Sequence, residues 1–381
     1  MAEKAIHLGG EATADAIVSA VDTMYSEHTF NEKDFALKHN DAEIAMDSNF
    51  AAQSFWKDVR VRFFRKKSAV LGLILVVFIV LLAAFGPGMN EYTYSGQELS
   101  QKNFAPRVQV LENFGIFNGD EKMSTTTGSK TVNAYVEKGK EDVYYWFGSD
   151  TYGRDIWTRT WEGARVSLII AVAAAIIDMV IGMSYGLISG YFGGKVDMVM
   201  MRIVDIIYSL PDMLMVVLLS VVLREVINVD AFPALQKIGT NMISMFIVFA
   251  LLYWTGMARM VRGQILTVKQ NEYILAARVS GAKDSRIIRR HILPNIVSVI
   301  IIAAALQIPS AIFTESFLSF IGLGVQAPMP SLGSLANEAR AGITQYPYKL
   351  LFPAGMICLI TLAFNLLGDG LRDAFDPKLR R

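Results

Sequence analysis

The chain has 381 residues, of which 53% are hydrophobic and only 19% charged, and its mean hydropathy is +0.37; an ordinary soluble domain is excluded. Its 36 basic and 35 acidic residues nearly cancel, so no basic excess points to nucleic acid. The single Cys358 cannot form an intrachain disulfide, and four scattered histidines lack metal-ligand spacing, so neither a disulfide framework nor a metal site is expected.

Residues 1–55 contain ten acids against three bases. Ile17, Val18 and Val21 are spaced loosely, so this reads as a cytoplasmic tail, either partly disordered or carrying weak amphipathic helices that pack on partner subunits. Residues 56–67 are basic and aromatic. They predict an amphipathic helix at the membrane surface, with Trp56, Phe63 and Phe64 at the interface and the bases toward anionic headgroups. Residues 68–85 form the first apolar span. No apolar signal-peptide core precedes it, so it is expected to remain uncleaved.

Residues 86–163 are a long, mixed segment in which Gly, Asn and Ser turns alternate with β-like runs at 107–111, 131–136 and 143–147. The stretch 147–155 alternates glycines with Asp150 and Asp155. It lacks the spacing and terminal glutamate of a calcium-binding loop, so a structural turn is the favoured reading. Gly128, Ser129 and Lys130 do not make a phosphate-binding loop. No Walker motif occurs in the sequence, so the chain should not hydrolyse ATP itself and no cofactor is expected on it.

Five further segments reach the roughly 20 residues needed to span a bilayer: 164–189, 199–223, 241–261, 292–321 and 350–367. Gly182, Gly186 and Gly190 let another helix approach the second span closely, most simply one from the same subunit. Asp178, Gln307, Glu315 and Asn365 lie near membrane depth. Such groups face protein or a wet cavity, so each is a candidate either for the translocation path or for hydrogen bonding between helices. Pro309 can bend the fifth span. Basic residues concentrate in 57–67, 195–202, 259–290 and 372–381, twenty in all, against four in the short loops 224–240 and 322–349. The positive-inside rule then puts both termini in the cytoplasm and 86–163 outside.

The loop between the fourth and fifth spans carries the most informative sequence. Asn271 suits a helix N-cap, Glu272 suits the positive end of the helix dipole, and Ala276 and Ala277 keep one face slim. Gly281 suits the left-handed turn that ends the helix, and Asp284 or Ser285 could cap the next one. Glu272, Ala276, Ala277 and Gly281, followed by Ile292, Leu293 and Pro294, resemble the EAA signature of ABC importer permeases. Tyr273, and His291 where other branches often have Ile, resemble the dipeptide/oligopeptide branch and its C-type subunit. Two further stretches resemble the family: Phe147 to Asp155, with Ser149 in place of Thr, and 315–324 followed by 328–333. The resemblance runs over roughly 57–378, weakens in 91–145 and is absent from the first fifty residues.

The resemblance implies an all-α polytopic fold of the type I importer (MetI-like) kind, with six membrane helices and an external insertion containing some β structure. Residues 1–55 would be a tail, 56–67 an interface helix, 68–85 the first span and 86–163 external. The core permease domain would be 164–370, with coupling loop 262–291, and 371–381 would form a cytoplasmic tail. The implied role is a cell-membrane permease moving oligopeptides or dipeptides inward. Its partners would be a homologous B-type permease, an external substrate-binding protein and two ATPase subunits that hold ATP and Mg. Glu272, Tyr273, Ala276, Ala277, Gly281 and Ala282 would couple it to those ATPases. Two alternatives stay open: a nickel or metal-chelate permease of the same branch, and a secondary transporter.

Overall fold

In the computed structural model, which describes residues 55–125, 128–226 and 240–375, most of the described chain is helical, the main exception being 86–155. The tail expected at 1–55 lies outside the described residues except for Phe55. Packing separates residues 1–57 from 58–381, and the architecture below concerns the second part.

The interface helix α1, Phe55–Arg65, is held along its length by an Arg62–Asp58 pair one turn apart. Trp56, Val61 and Phe64 are exposed. Phe63, expected at the lipid surface, instead is buried with Val59 against Ala69, Ala374 and Phe375, because positions 59 and 63 fall on the opposite face of the helix. The first span, α2, is Lys67–Phe85. At 1.5 Å per residue its 19 residues reach about 28 Å, close to the hydrocarbon thickness of a bilayer.

The external segment folds into a small lobe around Phe104, Tyr135 and Tyr145. Among its described residues the one sheet is a hairpin, β1 Asp120–Thr125 antiparallel to β2 Gly128–Asn133. The strands expected at 107–111 and 143–147 do not form. The run at 131–136 is strand only to Asn133, whose side chain accepts from Tyr135 N and Val136 N and so starts a short helix, α3, Ala134–Glu137. β1 escapes a hydrophobic-pattern reading because its sequence is polar.

The second span lies within α4, Ile156–Phe192, a 37-residue rod that extends beyond the bilayer. The third, expected as one helix at 199–223, is broken into α5, Gly194–Tyr208, and α6, Asp212–Val226, at 85° to each other. Pro211 explains the break. It has no N–H to donate and its ring crowds the carbonyl four residues back, while its own carbonyl accepts from Met215 N and starts α6. The fourth span is α7, Thr240–Leu252, continued by α8, Trp254–Lys269. After the loop helices α9, Glu272–Val279, and α10, Asp284–Ile287, a widened turn at Ile288–Ile292 leads into α11, Leu293–Phe320. The widening accommodates Pro294, which cannot join a regular α ladder. α12, Leu332–Arg340, and the last span, α13, Tyr348–Phe375, complete the chain.

Among the described residues, five helical stretches are long and apolar enough to cross a membrane, and the α5–α6 pair makes a sixth if counted as one broken span. Their common core gathers Ile79, Trp161, Ile170, Phe249, Ile312 and Ile360. The three small positions on α4 pack within the chain. A Cβ on Gly182 would stand 2.6 Å from Met257 Cβ, and one on Gly186 2.4 Å from the Ala258 carbonyl, so α8 lies directly against the α4 backbone.

Candidate functional site

The coupling-loop residues sit on α9 and the turn after it. Ile274 is fully buried, together with Ile287 and Ile292, in a cluster under the loop. The opposite face presents Glu272, Leu275, Ala276 and Val279, which follow helical spacing, and Val279 is 89% exposed. Ala277 and Ala282 are turned partly toward the buried cluster. Of the two alanines expected to leave room for a partner, only Ala276 therefore faces out. Tyr273 is exposed, with its ring 6.4 Å from that of His291.

Gly281 takes φ +76°, the left-handed conformation expected of it, and lets Ala282 N reach back to Ala277 O at 3.1 Å. The caps differ from expectation. Asn271 has the extended N-cap backbone but makes no side-chain cap bond, and its amide instead donates to the Tyr273 hydroxyl. Asp284 is the first helical residue rather than a cap, and accepts a hydrogen bond from the Tyr191 hydroxyl at the end of α4. Lys269 donates to the Tyr191 carbonyl, and Arg262 is paired with Asp197 on α5 at 2.6 Å. The loop is thus tied to α4, α5 and α8 rather than hanging free.

A cavity of about 200 Å³ opens beside two interrupted spans and the proline-bearing turn of α11. Tyr208 and Asp212 flank the Pro211 break, Tyr253 lies at the α7–α8 junction, and Gln307 and Ser310 flank Pro309; Thr255 adds a hydroxyl. The Tyr253 hydroxyl is anchored 2.6 Å from Thr314 Oγ1. Asp212 and Gln307 make no side-chain hydrogen bond or ion pair among the described residues, so their polar groups are available to whatever enters. Sequence reasoning marked Gln307 but missed Asp212, which the elbow at Pro211 brings to the lining.

The other expected path residues lie elsewhere. Asp178 is 3% exposed and within electrostatic range of Tyr253, and its Oδ1 has no hydrogen-bond partner among the described residues. Glu315 is fully buried; Ser167 on α4 and Ser319 on α11 each donate to it at 2.7 Å. Its carboxylate joins helices. Asn365 lies on the exposed side of α13 and is not part of the cavity lining.

In the segment before α4, the stretch 147–155 is a structural turn. Asp150 Oδ1 accepts from Tyr152 N and Arg154 N, and Asp155 caps α4 by accepting from Thr158 N at 2.8 Å. Burial pushes the Asp155 carboxyl above the usual range, and hydrogen bonds from Thr158 and Asn90 pull it back. Arg154 and Arg159 each bridge Asp150 to Glu338 on α12, with Arg159 only 1% exposed. This clasp fastens the head of α4 to the segment between α11 and α13.

Residues 182–381 match the family described as "Binding-protein-dependent transport system inner membrane component", and residues 54–106 match "N-terminal TM domain of oligopeptide transport permease C". The chain is 42% identical to the oligopeptide transport system permease protein OppC of Bacillus subtilis, over 86% of this chain and 91% of that relative. It is 39% identical to the dipeptide transport system permease protein DppC of the same organism, over 86% and 87%. Against OppC of Haemophilus influenzae it is 36% identical over 94% of this chain and the full length of the relative.

Proposed function

The chain belongs to the family of binding-protein-dependent transport system inner membrane components, and we propose that it forms one half of the membrane channel of an ATP-driven peptide importer. The second half is a related permease, and two ATPase subunits dock on the cytoplasmic side. An external binding protein delivers the peptide. The relatives named for oligopeptide and dipeptide transport support this cargo. So does the cavity: phenols, hydroxyls, an amide and a carboxylate suit the backbone groups and ammonium ends that all peptides share. Excess basic residues on one set of loops support cytoplasmic termini.

The observation that carries the reading is α9: a short helix with Leu275, Ala276 and Val279 facing out and Ile274 seated in the cluster beneath it, between flanking segments tied to α4 and α5 through Asp284, Lys269 and Arg262. A push on its exposed face moves the long rods as a body. In alternating access, that motion closes the cavity to one side and opens it to the other. The chain supplies no bond chemistry; ATP and Mg stay on the partner subunits.

The test is ATP hydrolysis by the purified complex in lipid, with binding protein and either a mixed peptide pool or a nickel chelate. Peptide-stimulated turnover without a response to the chelate is the expected result. Stimulation by the chelate alone would move the assignment to the metal-transporting members of the branch.

A further inference from the structure

The external lobe carries an apolar feature that the import cycle leaves unused. Arg107 and Asn118 pair in an isolated antiparallel bridge, and residues 108–117 between them form a loop closed by its own backbone. Val108 N donates to Phe117 O, and Glu112 N to Val108 O, both at 2.9 Å; Phe114 N donates to Leu111 O at 3.0 Å. The single charged side chain within the loop, Glu112, is folded back onto Arg107 Nε at 2.8 Å. Arg107 in turn lies over the rings of Tyr135 and Tyr144. Beside the exposed amide of Asn113, what the tip shows to the outside is Val110, Phe114 and Ile116, exposed by 70%, 76% and 55%. A structured loop that retracts its charge and projects aliphatic and aromatic groups is built to sit in something apolar.

Its position indicates what that is. The Phe117 ring lies 6.4 Å from that of Phe352, and Phe352 stacks on Phe147 at 3.8 Å. Phe352 is in the second turn of α13, already inside the apolar stretch of that span. Phe147 also touches Trp157, whose indole donates to the carbonyl of Gly86 where α2 ends. Aromatic side chains gathered where spans begin and end mark the membrane–water interface. The loop therefore leaves the lobe at the level of the outer bilayer surface.

We propose that residues 110–116 insert into the outer leaflet as a lipid-seated wedge, fixing the height and tilt of the external lobe over the bilayer. Its occupant is the glycerol and upper acyl region of phospholipid. The apolar tip, the inward Glu112 and the junction with α13 together favour lipid over a soluble protein face.

An environment-sensitive fluorophore placed at Phe114→Cys, and separately at Ile116→Cys, tests this. Both are made in a Cys358→Ser background, since Cys358 is exposed. The labelled full chain is reconstituted in phospholipid nanodiscs, alone and with its copurifying subunits. The expected result is blue-shifted emission that loses most of its intensity to a spin label near the glycerol end of the acyl chain and little to aqueous iodide. Strong iodide quenching with no lipid spin-label effect at both positions would overturn the proposal. Protection from iodide that appears only when the purified external binding protein is added would overturn it too, and would reassign the loop to delivery.

Discussion

At the residue scale, the proposed coupling rests on the exposed face of α9 and the turn after it. Gly281→Val forces a β-branched side chain into a left-handed turn at a cost of about 1–2 kcal/mol. Nothing crowds the position, since a Cβ there would meet no atom within 4 Å, so the damage is to the aim of α9 and not to packing. Purified complexes of this variant should lose ATPase subunits or substrate-stimulated hydrolysis; intact assembly with normal transport would refute the role. The alanine pair separates two effects. Ala276→Trp projects outward and should dislodge the ATPases while leaving the thermal unfolding of the chain unchanged. Ala277→Trp meets the buried Ile274–Ile287 cluster, and overpacking there costs roughly 1–3 kcal/mol, so it should lower the unfolding temperature as well. Arg289→Ala, an exposed rim charge, should change pull-down of the ATPases little.

At the element scale, the external clasp and the hairpin give distinct predictions. Arg159→Met removes one of two arginines that join Asp150 to Glu338. Breaking a buried pair costs about 3 kcal/mol even at its lower end, and the persistence of Arg154 keeps the loss from exceeding that. Thermal unfolding in detergent should show it, with proteolysis between α11 and α13 accelerated. In the hairpin, burial lifts the Glu121 carboxyl from its ordinary 4.5 to about 7, against the pull of the Lys349 ammonium. The folded state therefore holds a proton that the unfolded state has released between those values, and this group's contribution to hairpin stability falls as pH rises through that window. Exchange of the β2 backbone amides should speed up across it by more than intrinsic chemistry dictates, and Glu121→Gln should abolish the excess. Apolar length made the spans legible in the sequence, and Gly281 and the small residues of α4 announced their turn and close packing. The break at Pro211 was not legible, because hydropathy runs straight across it. Nor was the polar strand β1, whose pairing is set by the hairpin and not by alternation. Glu315 and Asp178 looked alike in sequence; only the three-dimensional arrangement gives one of them serine partners and puts the other within electrostatic range of Tyr253.

At the scale of the whole molecule, the interrupted spans and the anchored loop belong to one device. The breaks at Pro211 and Tyr253 meet Pro309 of the unbroken α11 at the cavity, while α4 runs from the Asp150–Glu338 clasp to the loop anchor at Tyr191. In the proposed mechanism, a rod linking both ends, with two broken spans beside the cavity, moves a path without moving every contact. In the proposed function, ATP-driven closure of the docked subunits acts through α9 and drives peptide inward. The most direct measurement is uptake of a labelled peptide by proteoliposomes holding the full complex and binding protein, with a proton ionophore present throughout. The account predicts uptake that continues under the ionophore, requires ATP on the ATPase side and is lost in Ala276→Trp. Uptake that collapses with the ionophore, or proceeds without ATP, would contradict it and identify a secondary transporter.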